Sequence, residues 1–435
     1  MKKVFLAFAI ISVSTCFVQA QTAILYNEDN SFTVDAGAVV FVDGDVVNAT
    51  TGRIFNSGDI YLTGDWDNAN AAGCLDPVNG TVYLDGTTQD IMGTQTTTFN
   101  NLDCKTTGKK TLQITTYVGG TSGVLSLRDS PFDLNSNLLR VTNPATGAIT
   151  RNTGYIISET DPLAGYGTVQ WDLNTAAAGS NYTYPFGTVS GGYIPFLFNV
   201  TTAGAGASGN MAVSTYPTSV AASPNNRPLP SLVGNLDDPS TSAEAGPLCA
   251  DRFWIIDANN YATNPTADIA FTYRENEWDG TSGSTNTIVE DSLRAWRWTG
   301  AQWQNPPVGT DNPTGNLVTV TGVNTFSPWT LLGVEPPPPP PCGDFFLPTA
   351  FSPNGDNKND YFRPRSICIK SLELKIYNRW GNLVFETTDV NTKGWDGSTI
   401  KGGKEANQEV FVYQVIATMN DGKVHDLKGN VTLMR

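Results

Sequence analysis

The sequence predicts an all-β protein built from several bodies in series, and three observations carry that expectation. Long apolar segments at helical spacing are missing. Short alternating runs recur between Gly, Asn and Pro turn signals, and near the N-terminus one such run repeats. Glycine accounts for 42 of 435 residues and only 15% are charged, a composition suited to stacked strands and tight turns rather than solvated helices.

The chain opens with "MKKVFLAFAIISVSTCFVQAQ". Lys2 and Lys3, the apolar run Val4 to Ile11 and the small-x-small exit Val18-Gln19-Ala20 predict a cleavable secretory signal over 1–20, with Gln21 as the mature start. No later stretch is long enough for a membrane-spanning helix. Phe17 and Val18 after Cys16 do not suit a lipoprotein site. In an oxidising compartment the spacings favour disulfides Cys74–Cys104 and Cys342–Cys368, and Cys249 is left over, expected as a buried thiol.

Residues 21–178 carry the repeat. "FVDGDVVN" at Phe41, "YLTGDWDN" at Tyr61 and "YLDGTTQD" at Tyr83 share an aromatic, an aliphatic, a glycine and a closing Asn or Asp. A period near 20 predicts stacked coils of a short β-solenoid, with Asn56, Asp65 and Asn68 at the corners. A plain sandwich with similar hairpins is the alternative.

Residues 179–334 read as an immunoglobulin-like β-sandwich. Ile269 and Phe271 alternate with Ala270 and Thr272, and Val318 and Val320 with Thr319 and Thr321. With Phe326-Ser327-Pro328-Trp329-Thr330-Leu331 as its closing strand, the segment resembles the sandwich unit of large Bacteroidota surface proteins. Gly204 to Gly209 match G-x-G-x-x-G, but the sequence around them reads strand–loop–strand, and a dinucleotide site needs strand–loop–helix. Trp296 and Trp298 share a strand face with Arg294. Exposed, that face could stack on sugar rings; buried, it is core. Glu275, Glu277 and Asp279 could supply a carboxylate pair for glycoside hydrolysis, but a solvated strand end is the plainer expectation. His425 is the sole histidine, which excludes Ser-His-Asp, Cys-His and multi-histidine metal chemistry. No enzyme activity is expected.

Six prolines within 335–341 predict a polyproline II spacer. Charge also divides here: residues 21–341 hold 30 acidic and 12 basic side chains, and 342–435 hold 11 and 12. So acidic a body excludes nucleic acid as its partner.

Beyond the prolines, Pro353-Asn354-Gly355-Asp356 precedes Asn359-Asp360, then follow Tyr377-Asn378-Arg379-Trp380-Gly381, Gly394-Trp395-Asp396-Gly397 and a last strand at Gly429 to Leu433. With these motifs, residues 342–435 resemble the gliding-motility-associated C-terminal domain, the type B sorting domain of the type IX secretion system. Lys358 departs from the family pattern, which often has Gly there. The resemblance implies a small β-sandwich, recognition by outer-membrane translocation machinery, and a Gram-negative protein delivered through the periplasm to the surface or medium. The residues themselves fit that fold. Leu372, Leu374 and Ile376 alternate with Glu373, Lys375 and Tyr377, Asp421-Gly422 suggests a type I′ hairpin, and a final strand would leave an edge open to a receptor. Asn354, Asp356, Asn359 and Asp360 could ligate Ca²⁺ or simply form an Asx-turn network; no other cofactor is expected. The expectation is an exported, non-catalytic, adhesin-like protein, with surface glycans or other cells as partners, and with a carbohydrate-binding protein or a polysaccharide hydrolase as alternatives.

Overall fold

Phe41, Tyr61 and Tyr83 fall on one another in successive strands of a parallel sheet, so the repeated motif is the unit of a β-solenoid. The structure is a computed structural model that describes residues 23–69, 75–77, 79–160, 165–219, 225–279, 286, 288–334, 344–399 and 405–435. The expected signal peptide and proline spacer, together with Cys74 and Cys342, lie outside them. The chain divides into two units, Met1–Pro336 and Pro337–Arg435, and no α-helix occurs among the described residues.

The solenoid makes about six turns of three strands each. Its first coil is Ala23–Glu28, Ser31–Val34 and Val39–Val42, and its second is Gly44–Ala49, Arg53–Asn56 and Asp59–Leu62. Alternation places Val46, Ile54, Ile60, Leu62, Trp66, Val82, Leu84 and Ile91 in the interior, where each ladder rung rests on the one before. A single coil has no opposing layer and buries little of this surface alone. Stacking supplies the missing layer.

The corners solve a polar problem. Asn27, Asn48 and Asn68 occupy matching positions in three coils and are buried. Asn27 Nδ2 donates to Asn48 Oδ1 at 2.7 Å, Asn48 Nδ2 to the Gly52 carbonyl at 2.7 Å, and Asn68 Nδ2 to the Gln95 and Thr96 carbonyls at 3.1 Å each. A carboxylate ladder runs beside it: Asp45 Oδ1 accepts the Asp65 N–H, and Asp65 Oδ1 the Asp90 N–H, both at 2.8 Å. Each buried group left without its partner would cost about 1–3 kcal/mol. Gly93 is required at its corner, because at φ +126° a Cβ would come within 2.0 Å of the Asn68 carbonyl oxygen.

Cys104 is a correction. It carries a free thiol buried in the solenoid interior, where burial pushes it up to about 12, so the expected Cys74–Cys104 bridge does not form. It follows Asn101–Asp103 on the third side of the coil, whereas Leu75–Pro77, which follows Cys74, lies in the sheet of the second side. Cys249 is a buried free thiol. Cys368 is disulfide-bonded.

The solenoid passes into the sandwich through one strand. Thr168–Trp171 pairs parallel with Leu138–Val141 on its solenoid side and antiparallel with Asn210–Pro217 on the other. The same sheet then continues through Cys249–Asn259, Pro328–Leu332 and Arg294–Arg297. A second sheet of Asn181–Tyr184, Phe196–Thr202, Thr266–Thr272, Leu317–Val323 and Thr310–Asn312 covers it. Ile269 faces Val320 and Phe271 faces Val318 across the covering sheet, as the alternation requires. Trp254, Phe271 and Trp329 fill the space between the layers, with ring centroids 4.9 and 5.5 Å apart. One apolar core therefore runs from Val34 in the first coil to Leu331 in the sandwich.

An ion cluster ties the two parts together. Arg252, fully buried in strand Cys249–Asn259, reaches Glu159 at 3.0 Å and Glu277 at 2.6 Å, and Arg274 reaches Glu277 at 2.9 Å. Glu159 also accepts the Val189 N–H at 2.9 Å. Glu277 is thus neither a solvated strand end nor free to act on a substrate. Burial works to raise its pKa, but the guanidinium groups of Arg252 and Arg274 prevail and hold its carboxyl below the ordinary 4.5. Glu277→Gln leaves Arg252 undercompensated and should cost about 3–5 kcal/mol in urea denaturation at pH 7. The Glu277 contribution is complete above pH 4.5 and is lost as pH falls through its lower folded value, so the gap between variant and wild type should narrow in acid. A gap independent of pH would contradict this account.

Candidate functional site in the C-terminal domain

The C-terminal unit holds a five-stranded sheet in the order Ala350–Phe351, Val424–Leu433, Val410–Met419, Ile369–Tyr377, Leu383–Thr387. Leu372, Leu374 and Ile376 face the core with Phe351, Phe362, Trp395, Phe411 and Leu433, while Glu373, Lys375 and Tyr377 are half-exposed. The turn after Met419 is not type I′. Among its residues only Gly422 has positive φ, Gly422 N–H bonds to the Met419 carbonyl at 3.0 Å, and Met419 N–H bonds to Lys423. Asn420, Asp421 and Gly422 therefore form a three-residue loop with the glycine in the left-handed position.

Each motif builds one local device. In the loop after Pro353, Asp360 Oδ1 accepts the N–H groups of Asn354 and Gly355 at 3.0 and 2.8 Å, and Asp360 Oδ2 accepts Asn357 N–H at 2.8 Å. Asp356 accepts Lys358 N–H at 2.8 Å, and the Asn359 carbonyl accepts Ser352 N–H at 3.0 Å. A calcium ion at Asn354, Asp356, Asn359 and Asp360 would have to share these oxygens with backbone donors. Among the described residues no group of three or more His, Cys, Asp or Glu is arranged to hold a metal.

The next motif is a display turn. Asn378 Oδ1 accepts the N–H groups of Trp380 and Asn382 at 3.0 Å each, and Gly381 takes φ +77°. The turn projects Trp380 into solvent at 80% exposure, with Arg379 near its ring and paired to Glu409 at 3.2 Å. Trp395 does the opposite. It is buried against Phe351 and Phe411, donates to the Ser398 carbonyl at 2.6 Å, and is followed by Asp396, whose Oδ1 caps Ser398 N–H at 2.9 Å.

These devices gather at one end of the sheet. A Cβ on Gly397 would lie 3.1 Å from Leu433 and 3.4 Å from Pro353, which brings two motifs and the last strand together. The Tyr377 turn joins them because Tyr377 pairs with Val412 near the start of Val410–Met419, where Val410 pairs with Thr432. The last strand is not a free edge at this end: Thr432 N–H bonds to Thr349, Met434 N–H to Phe351 and Leu433 N–H to Glu409, each at 3.0 Å. Among the described residues, no further strand pairs with its earlier part, Val424–Asn430, on the side away from Val410–Met419. Glu409 and Arg435, which clamp this end, carry no sequence signal that would single them out. Arg435 pairs with Glu405 at 2.7 Å.

The sugar-binding face proposed from sequence is covered. Trp296 and Trp298 are 1% and 4% exposed, packed with Trp303, Val233, Leu236 and Phe253 under the Pro- and Asn-rich segment that precedes Cys249. Arg294 donates to the Asp291 and Leu293 carbonyls rather than lining a groove. Gly204–Gly209 is a loop between strands Phe196–Thr202 and Asn210–Pro217.

Residues 345–433 match the CHU_C type IX secretion signal domain. The signal domain implies interaction with the type IX machinery and export to the cell surface or extracellular space. A comparison with curated proteins finds no match. Among solved structures, dimeric latent PorU from Porphyromonas gingivalis aligns at 12% identity over 52% of this chain and 18% of its own length, with a TM-score of 0.14, too low to inform the fold. No helix among the described residues is long and apolar enough to cross a membrane.

Within the signal domain the two tryptophans should separate cleanly. Trp395→Ala should cost about 3–5 kcal/mol, read from the unfolding transition of this domain in the full chain. Trp380→Ala should stay within about 0.5 kcal/mol of wild type. Equal losses would mean that Trp380 is structural.

Proposed function

We propose that this is an exported, non-catalytic surface protein of the adhesin-like kind: residues 21–334 are the cargo and the C-terminal signal domain carries it across the outer membrane by type IX secretion. The supporting observation is a division of chemistry between the units. In the cargo, polar side chains that could do chemistry are drawn into structure: the Asn and Asp corner ladders, the Arg252 cluster and the covered Trp face. In the signal domain, the motifs instead hold one exposed aromatic, Trp380, at an end built by three motifs. Partners on other cells or surface glycans belong to this reading, with binding spread along the outer faces of the cargo rather than through Trp296 and Trp298. Glu277, which a hydrolase reading would use, is committed to Arg252 and Arg274.

The test is localisation in a host with a type IX system. The full chain should reach the surface or medium, a chain ending at Pro341 should stay in the periplasm, and Trp380→Ala should reduce export while leaving the fold intact. Equal export of the full and truncated chains would overturn the reading.

A further inference from the structure

One edge of the sandwich is closed by three oxygens whose protons do not balance. Arg294–Arg297 ends one sheet and Thr310–Asn312 ends the other, and the turn Glu290–Ser292, just before the first of these strands, lies against the second. Tyr273, beside strand Thr266–Thr272 and 1% exposed, aims its hydroxyl between them: its oxygen is 3.0 Å from Glu290 Oε1 and 3.0 Å from Asp311 Oδ1. A phenol carries one proton and donates it to one acceptor. With both carboxylates ionised, the second contact contains no hydrogen and sets a negative oxygen against a lone pair, away from the water that would screen it.

No cation resolves the contact. Residues 275–293 hold no Lys, Arg or His, so the segment carrying Glu290 brings negative charge only. Arg274 directs its guanidinium to Glu277, Thr188 and Ser190. Arg294 donates to the Asp291 and Leu293 carbonyls and acts on Asp311 only at a distance. The other charged groups facing the cluster, Glu275 and Asp291, are acidic. Among the described residues, Asp311 Oδ2 is buried and accepts from no donor.

We propose that Glu290 and Asp311 share one added proton across Tyr273, and that this proton locks the turn Glu290–Ser292 to strand Thr310–Asn312. The carboxylic O–H then donates to the phenol oxygen and the phenol O–H to the remaining carboxylate, so each contact contains a hydrogen. Tyr273 keeps its own proton, because burial and the neighbouring carboxylates push it far above the ordinary 10.0. Burial, then the nearby carboxylates, raise Glu290 above 4.5 against the Tyr273 hydrogen bond, and burial raises Asp311 above 3.8 against its hydrogen bonds and Arg294. The lock reaches the end of the sandwich region. Val334 N–H bonds to Ser292 Oγ at 2.8 Å, and Val289 N–H to the Val334 carbonyl at 3.1 Å, two residues before the first of the six prolines.

The sign follows from the raised carboxyls. Opening returns them to water and to ordinary values, so the lock is complete below about pH 4 and is lost as pH rises through the closed-state value. Within that window opening releases one proton, and the open fraction grows up to about tenfold per pH unit.

The experiment is hydrogen exchange of the chain from Gln21 to Arg435 between about pH 5 and pH 8, each amide rate divided by its intrinsic rate at that pH, with thermal melts of each variant. In wild type, protection at Ser292, Leu293 and Val334 should fall about tenfold or more across the range, while core amides of Asn210–Pro217 keep theirs. Glu290→Gln and Asp311→Asn each place a neutral group where the proton sat, so either should hold protection flat and at least equal to wild type at the upper pH. Wild-type protection that ignores pH would overturn the proposal. So would the same fall in both variants as in wild type, or recovery at the upper pH on adding about 1 mM calcium chloride, which would put a cation where the proton is placed.

Discussion

The stacking of one coil on the next is the constraint on which the body of this protein depends. Strand pairing advances by 19 to 25 residues per coil over most of the solenoid and by 30 at its last rungs, so inward positions recur against their own kind. Apolar positions then make ladders at no polar cost. Corner positions cannot, because the chain must turn with backbone groups facing inward, and Asn and Asp side chains are the groups that satisfy them. The abundance of Gly and the scarcity of charge follow from the same constraint: close coil spacing leaves little room at the corners and no solvent inside.

The sandwich is the continuation of that stack. Strand Thr168–Trp171 is both the last parallel rung and the first antiparallel one of its sheet, so apolar surface at that solenoid end is covered by the sandwich core. The Arg252 cluster reinforces the seam. Three buried charges are tolerated there because Glu159 and Glu277 flank one guanidinium and Arg274 adds a second cation. Buried charge of this kind favours one arrangement over others more than it adds net stability. That suits a junction between two architectures.

Much of this was legible in the sequence. The spacing of Phe41, Tyr61 and Tyr83 reports the register directly, because in-register stacking makes sequence period and spatial period the same quantity. The alternation at Ile269 to Thr272 and at Leu372 to Tyr377 reports faces, and the Asn378 and Trp395 motifs report local turns whose hydrogen bonds span only a few residues. What stayed hidden depends on distant partners. Alternation places Trp296 and Trp298 on one face but cannot say that residues near Val233 and Leu236 cover it. Glu277 looked like a solvated carboxylate because a neighbouring Arg274 fits a strand end equally well, while the partners that bury it, Arg252 and through it Glu159, lie farther away in the chain. Cys104 looked paired because spacing says nothing of which side of a triangular coil a residue occupies.

The claim that the sandwich closes the solenoid is most directly tested by native-state hydrogen exchange across residues 23–334. If one sheet and one core bind the two parts, amides of Leu138–Val141, Thr168–Trp171 and Asn210–Pro217 should share a single opening free energy and denaturant dependence. Protection that breaks between Thr168–Trp171 and Asn210–Pro217, with the solenoid opening independently of the sandwich, would contradict it.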